Sequence, residues 1–243
     1  MTKTSLLAVA CLVFGTGTAF ANPPVADELV RRYDEVMSPK TFEAVMEMTA
    51  HRQDGTTRSY KLRVLKLGND KLRAWFLEPA SSKGQEMLRV DDNMWVYMPN
   101  LKRALRIASR ESFQGGDFNN GDIMRVNYVA DYTAKLLPES TPSSVWVVEL
   151  SAKSSEASYD RVRLWLDKDK RLPVKAEYYA ASGKLLRSAS FEALKSFYGF
   201  EWLSRIVMRN ELVIKRFLEM TMVDLWAGVE APAQKFVLDD LGR

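Results

Sequence analysis

Residues 42–64 read FEAVMEMTAHRQDGTTRSYKLRV. Phe42, Ala44, Met46 and Met48 alternate with Glu43, Val45, Glu47 and Thr49, the period of two expected of a strand with one buried face. Asp54-Gly55 supplies a hairpin turn, after which Tyr60, Leu62 and Val64 alternate with Lys61 and Arg63. The segment predicts an antiparallel hairpin, with the more apolar alternating set of each strand pointing inward.

The same grammar extends outward in both directions. Upstream, Val25 to Met37 repeats apolar residues at helical spacing and Pro39 stops it, so one amphipathic helix precedes the hairpin. Downstream, Gly68-Asn69-Asp70 turns the chain into Leu72, Ala74 and Phe76; Met87 to Val90 follows, then Asp91-Asp92-Asn93 turns it into Met94 to Met98. Ser143 to Leu150, Arg161 to Asp167, Leu172 to Ala181, Lys184 to Phe197, Leu203 to Asn210 and Val213 to Trp226 complete a series of about ten strands. Only Ser109 to Met124, rich in Gly, Asn and Ser, breaks the pattern and reads as a loop with short helical turns. Strands at short, even intervals indicate a mainly β chain with few helices, a barrel or sandwich of antiparallel strands.

Composition agrees. The chain has 243 residues, 47% hydrophobic and 27% charged, which excludes a disordered chain, and 12 Gly with 9 Pro exclude a collagen-like one. Lys3, the apolar run Leu6 to Phe14 and Ala19-Phe20-Ala21 form a secretory signal pattern cut after Ala21, leaving a single exported domain over residues 22–243. The run is too short for a membrane anchor, and Cys11 sits mid-run with Ala8 where a lipobox usually has Leu. Cleavage removes the only cysteine, excluding a disulfide framework and cysteine metal sites.

The chemistry-bearing residues are sparse. His51 is the only histidine and reads as an ordinary strand-end residue. Asp117 and Asp122 are the best-placed carboxylate pair for a hydrolase, yet Asp and Asn in such loops commonly cap short helices. No cofactor or metal motif is present. Lys102, Arg103, Arg106 and Arg110 cluster in the sequence; they read either as a solvated strand edge or as contacts for an anionic head group or partner. Export argues against nucleic acid.

The apolar residues carry more. Met46, Met48, Met87, Met94, Met98, Met208, Met220 and Met222 all fall on expected strands, where flexible thioethers either fill a core or line a cavity for variable guests. Trp75 and Trp165 lie on otherwise polar strand faces, so the sheet has two covered faces or a ligand on one.

Trp95-Val96-Tyr97-Met98-Pro99, then Arg103, Arg106-Ile107 and SFQGGDF at 112–118, resembles the outer-membrane lipoprotein-sorting family, periplasmic proteins of the LolA/LolB-like superfamily. Leu164-Trp165-Leu166-Asp167, the Leu172 to Tyr179 stretch, and Phe236 with Leu241 are similar to further blocks of that family. Gln114 and Gly116 depart from its loop pattern. The resemblance implies a strongly curved antiparallel sheet, an unclosed barrel, covered by helices. It also implies a non-catalytic periplasmic carrier for the acyl chains of a lipid or lipoprotein, working beside an inner-membrane RND-type exporter or an outer-membrane acceptor.

The expected apolar lining is Phe42, Met46, Met48, Leu62, Val64, Phe76, Val148, Leu164 and Met220, with Trp95 and Tyr97 near the signature strand; Arg103, Arg106 and Arg110 are the candidate head-group or partner contacts. An accessory binding module of a membrane export complex, with a filled barrel, is the first rival. A secreted hydrolase using a carboxylate pair is the second.

Overall fold

The computed structural model describes residues 25–116, 118–124, 127–138 and 144–243. The signal segment and Asp117 lie outside them. Helix α1 (Ala26–Met37) buries Leu29, Val30, Tyr33, Val36 and Met37, a stripe at the spacing of successive helical turns, and keeps Arg31, Arg32 and Glu35 exposed. Asp27 and Glu28 in its first turn suit the positive end of the helix dipole.

Thirteen strands follow: β1 (Thr41–His51), β2 (Thr57–Leu67), β3 (Lys71–Glu78), β4 (Glu86–Val90), β5 (Asn93–Met98), β6 (Arg103–Ile107), β7 (Tyr132–Leu136), β8 (Val145–Ala152), β9 (Arg161–Asp167), β10 (Pro173–Tyr179), β11 (Leu185–Phe197), β12 (Phe200–Asn210) and β13 (Phe217–Ala227). They form one antiparallel sheet in the order β6-β5-β4-β3-β2-β1-β13-β12-β11-β10-β9-β8-β7. The first six strands walk to one edge; the chain then crosses to the opposite edge and walks back, so β1 closes against β13. The crossover carries two short helices, α2 (Asn120–Met124) and α3 (Tyr128–Asp131). The expected series is short by β6 and β7, which are the two edge strands.

The sheet is strongly bent and unclosed. Laid flat, its outer strands would stand about 58 Å apart at the usual strand spacing. Instead Leu62 and Phe76 of β2 and β3 share one buried cluster with Leu150 and Leu164 of β8 and β9. Just beyond β6, the Ser109 hydroxyl lies 2.9 Å from that of Ser158, and Arg110 pairs with Asp160 at 3.0 Å. Alternation sends the apolar set of every strand into the hollow, where α1 and the crossover cover it. Bulges adjust the curve: the β1–β13 register shifts between Val45 and Met46.

The outer face of β2 to β5 is also apolar, and the chain covers it itself. Phe236 and Leu241 of the C-terminal segment bury against Leu65 and Leu88, with Trp75, Trp95 and Tyr97 packed around them. Arg73, 1% exposed, staples this strap: it donates to the Lys235 carbonyl (2.9 Å), the Asp240 carbonyl (2.8 Å) and the Glu86 carboxylate (Nε, 2.9 Å). The aromatic residues on polar-looking faces therefore have separate explanations. Trp75 lies under the strap, whereas Trp165 lies beneath the Lys175 ammonium, 4.7 Å from its ring.

Candidate functional site: the covered hollow of the sheet

Most of the hollow is filled by the protein's own side chains. Among the described residues it holds a cavity of about 90 Å³ and a second of about 50 Å³, both walled in part by Met37, Asp122, Ile206 and Met220. An apolar cavity of roughly 150 Å³ accommodates a benzene molecule, so neither void holds a full acyl chain while the cover is shut.

The larger cavity is apolar over most of its wall. Met46, Met220 and Met222 contribute thioethers from the central strands β1 and β13, joined by Phe42, Val64, Leu72, Trp202 and Ile206 from the sheet and by Met37, Ile123 and Met124 from the cover. Lys66 and Arg89, 2% and 3% exposed, stand at one end among them. Lys66 Nζ donates to the carbonyls of Ser38 (3.0 Å) and Pro39 (2.7 Å), just past α1. Arg89 donates to Asp91 O (2.8 Å) and to Met124 O (3.4 Å) at the end of α2. Burial, and then the charge of Arg89, brings the Lys66 ammonium down to about 8.

The second cavity is ringed by phenols. Tyr33, Tyr128, Tyr132, Tyr159 and Tyr178 line it, and burial raises the pKa of every one. Asp122 sits between the cavities. Tyr159 Oη donates to it at 2.7 Å, the Asn119 amide donates to its other oxygen at 2.9 Å, and Arg187 donates to Tyr159 Oη at 3.0 Å. Burial raises the Asp122 pKa, opposed first by the Arg187 charge and then by the tyrosine hydrogen bond. This carboxylate thus anchors the crossover; its proposed acid–base companion, Asp117, lies outside the described residues.

The two parts of the cover are tied to each other. Asp34 on α1 accepts hydrogen bonds from the amides of Tyr128 (3.0 Å) and Val129 (2.9 Å), the first amides of α3. Tyr33 stacks on Tyr128 with ring centroids 5.0 Å apart. Burial raises Asp34 to about 6, against the lowering effect of the two amides. On the outside of α1, an open groove of about 680 Å³ runs past Arg31, Arg32, Asp34, Ser38, Lys40 and Phe200. Ser38 borders both this groove and the larger cavity, and so forms the partition between them.

The sequence-derived residues divide as follows. Phe42, Met46, Val64 and Met220 line the larger cavity. Met48, Leu62, Phe76, Val148 and Leu164 are buried in the same cluster away from its wall. Trp95 and Tyr97 must be moved to the other face: Met94 and Val96 between and beside them point into the hollow, and their own rings pack beneath the C-terminal strap. Arg103 and Arg106 lie exposed on the edge strand β6, with Arg106 donating to Asn93. Arg110 is already engaged by Asp160 and the Ala157 carbonyl. His51 stacks on Phe217 at 4.0 Å and faces Glu219 at 3.9 Å, as a strand-end residue. The residues missed include Lys66 and Arg89, the sheet residues Leu72, Trp202, Ile206 and Met222, and the cover residues Met37, Ile123 and Met124. The first two carried a signal, since each is a charge placed in an otherwise inward-facing apolar series.

Comparison with known proteins points the same way. A search of curated proteins finds no match. A family model described as "-like: Uncharacterized protein" matches residues 68–243. Among solved structures, a LolA superfamily protein from Nitrosomonas europaea is 27% identical, with a TM-score of 0.81 over 89% of this chain and 99% of that one. An outer membrane lipoprotein-sorting protein domain from Vibrio parahaemolyticus is 24% identical, with a TM-score of 0.76 over 90% of this chain and 98% of that one. On its fold and the sequence it shares with the first of these structures, the chain belongs to the LolA-like, outer-membrane lipoprotein-sorting superfamily.

Proposed function

We propose that this protein is a periplasmic carrier that takes the acyl chains of a lipid or lipoprotein into the covered hollow of its sheet and moves them between membranes. The observation that carries the proposal is the thioether-rich cavity beneath the helical cover. Exposing an acyl chain to water costs about 0.8 kcal/mol per CH₂, on the order of 12 kcal/mol for palmitoyl, which blocks free transfer between bilayers. Replacing water with an apolar wall lowers that barrier, and unbranched methionine side chains can repack around tails of different shape.

A cavity of about 90 Å³ is too small for an acyl chain, so loading requires α1 and the crossover to separate from the sheet. The contacts that must break include the Lys66 and Arg89 bonds to the cover, the Tyr159 bond to Asp122 that anchors the crossover and, where the two cover parts separate, the Asp34 pair. The superfamily's sorting members support a periplasmic setting, with the 1–21 leader directing export of one domain over 22–243. An RND-type exporter or an outer-membrane acceptor is the donor or receiver in this scheme. Transport breaks no bond, so the function is non-catalytic.

The near-filled hollow favours one other reading, an accessory module of an export complex that never opens. Solvent extraction of protein purified without detergent, followed by mass spectrometry, separates the two. The carrier reading predicts acyl lipid in the extract and saturable uptake of a fluorescent acyl probe; no lipid and no uptake would leave the accessory module.

A further inference from the structure

The larger cavity has an electrostatic direction. Lys66 is a buried ammonium with three donors, of which two go to carbonyl oxygens. Among the described residues no carboxylate comes within ion-pair distance of it. Its strongest charged neighbour is another cation, Arg89, while the attraction of Asp34 and Asp70 is weaker. Asp122, the one carboxylate on the same wall among the described residues, already accepts from Tyr159 and the Asn119 amide. A fold that buries an ammonium beside an apolar slot, held by two carbonyl dipoles and by carboxylates beyond ion-pair distance, is poised for an anion.

The route in matches. Behind the Ser38 partition, the outer groove presents Arg31, Arg32 and Lys40 beside Asp34 and Glu35; Arg32 pairs with Glu35 at 3.6 Å, and Asp34 is taken by the amides of α3. Lys66 pairs across the sheet with Phe42, and the methionines lie further along β1 and on its neighbour β13, where Met46 pairs with Met222.

We infer that the Lys66 end of the cavity receives the anionic group of the cargo, with the hydrocarbon laid toward the methionines, so that the ligand is an anionic amphiphile bearing a carboxylate or phosphate. The inference rests on the carrier reading of the same site and narrows it. A neutral acyl lipid would leave the ammonium facing hydrocarbon and so would bind less well.

The test is displacement of a fluorescent acyl probe at neutral pH by palmitate, hexadecyl phosphate, hexadecanol and inorganic phosphate. A charge-assisted contact predicts that the two anionic amphiphiles bind at least about tenfold tighter than hexadecanol, and that inorganic phosphate neither displaces the probe nor competes. Lys66→Met is expected to erase the preference while hexadecanol binding persists. If Lys66 serves only as a latch on Ser38 and Pro39, the substitution shifts all three amphiphiles together, which overturns the inference. Equal binding of palmitate and hexadecanol by the wild-type protein also overturns it and leaves the carrier reading standing. Competition by inorganic phosphate alone assigns the site to a free anion instead. If no amphiphile binds, the carrier reading itself fails. Should Lys66→Met not fold, the wild-type ratio decides.

Discussion

Asp34→Asn tests whether the two halves of the cover are joined by a charge. The Asp34 pKa is about 6 against an ordinary value of 3.8, because burial outweighs the two amides it accepts from. A raised carboxylate pKa means that the folded protein holds this proton more tightly than the unfolded chain does. The stability that protonation contributes is fully present below pH 3.8 and is lost as pH rises through about 6. At about 1.4 kcal/mol per pH unit the gap is worth up to about 3 kcal/mol, and since Asp34 is half-buried, with water screening part of it, 1–3 kcal/mol is roughly the expected size. The same sign applies to opening. Lifting α1 away solvates Asp34 and restores its ordinary pKa, so acid favours the closed cover and neutral pH eases it open. The assay is urea unfolding of wild type and variant at a series of pH values across this window. Asparagine is neutral throughout, so the wild-type stability minus that of the variant falls by about 1–3 kcal/mol as pH rises across the window. Parallel curves for the two proteins would refute the assignment, whatever their constant offset.

Other expectations concern the strap and the cavity wall. Arg73→Ala leaves Glu86 buried without its partner and detaches the C-terminal strap, at a cost of roughly 3–5 kcal/mol in urea unfolding; a loss under 1 kcal/mol would show that the strap contributes little. Because the strap lies on the outer face, a folded Arg73 variant keeps its affinity for acyl probes, as a displacement titration will check. Met46→Asp sets a carboxylate into the methionine wall and is expected to reduce lipid carried through purification by about tenfold with the protein still soluble. Unchanged lipid content in that variant would remove Met46 from the binding wall.

The bent sheet was legible because alternation, turn residues and the α1 stripe all agree along the chain. Gly55, at φ +83, is the clearest case, since the Asp54-Gly55 turn needs a residue that tolerates positive φ. The strands that were missed are the edges. β6 reads Arg-Ala-Leu-Arg-Ile and β7 Tyr-Thr-Ala-Lys-Leu, each five residues long and carrying charge. Short, charged strands are how proteins keep a sheet edge from pairing with a neighbour, so the feature that protects the edge also weakens its strand signal.

Alternation also cannot say which of two apolar faces is the hollow. Trp95 and Tyr97 were grouped with the lining because nothing local marks the face that the strap covers; Phe236 and Leu241, which cover it, lie well over a hundred residues downstream. The cavity's size was illegible for a related reason. It depends on how closely Met37, Ile123 and Met124 seat on the sheet, a packing outcome with no periodic trace. Lys66 could have been flagged, because a lysine continuing the Tyr60, Leu62, Val64 series breaks the apolar rule where only a function or a buried partner would retain it.

Whether an acyl chain enters the hollow is tested most directly by photo-crosslinking with a palmitate analogue carrying a diazirine at its tail end, followed by peptide mapping. The account predicts label on β1 and β13 around Met46, Met220 and Met222, competed away by unlabelled palmitate. Label confined to the strap and the outer face, or no competable label at all, would contradict it.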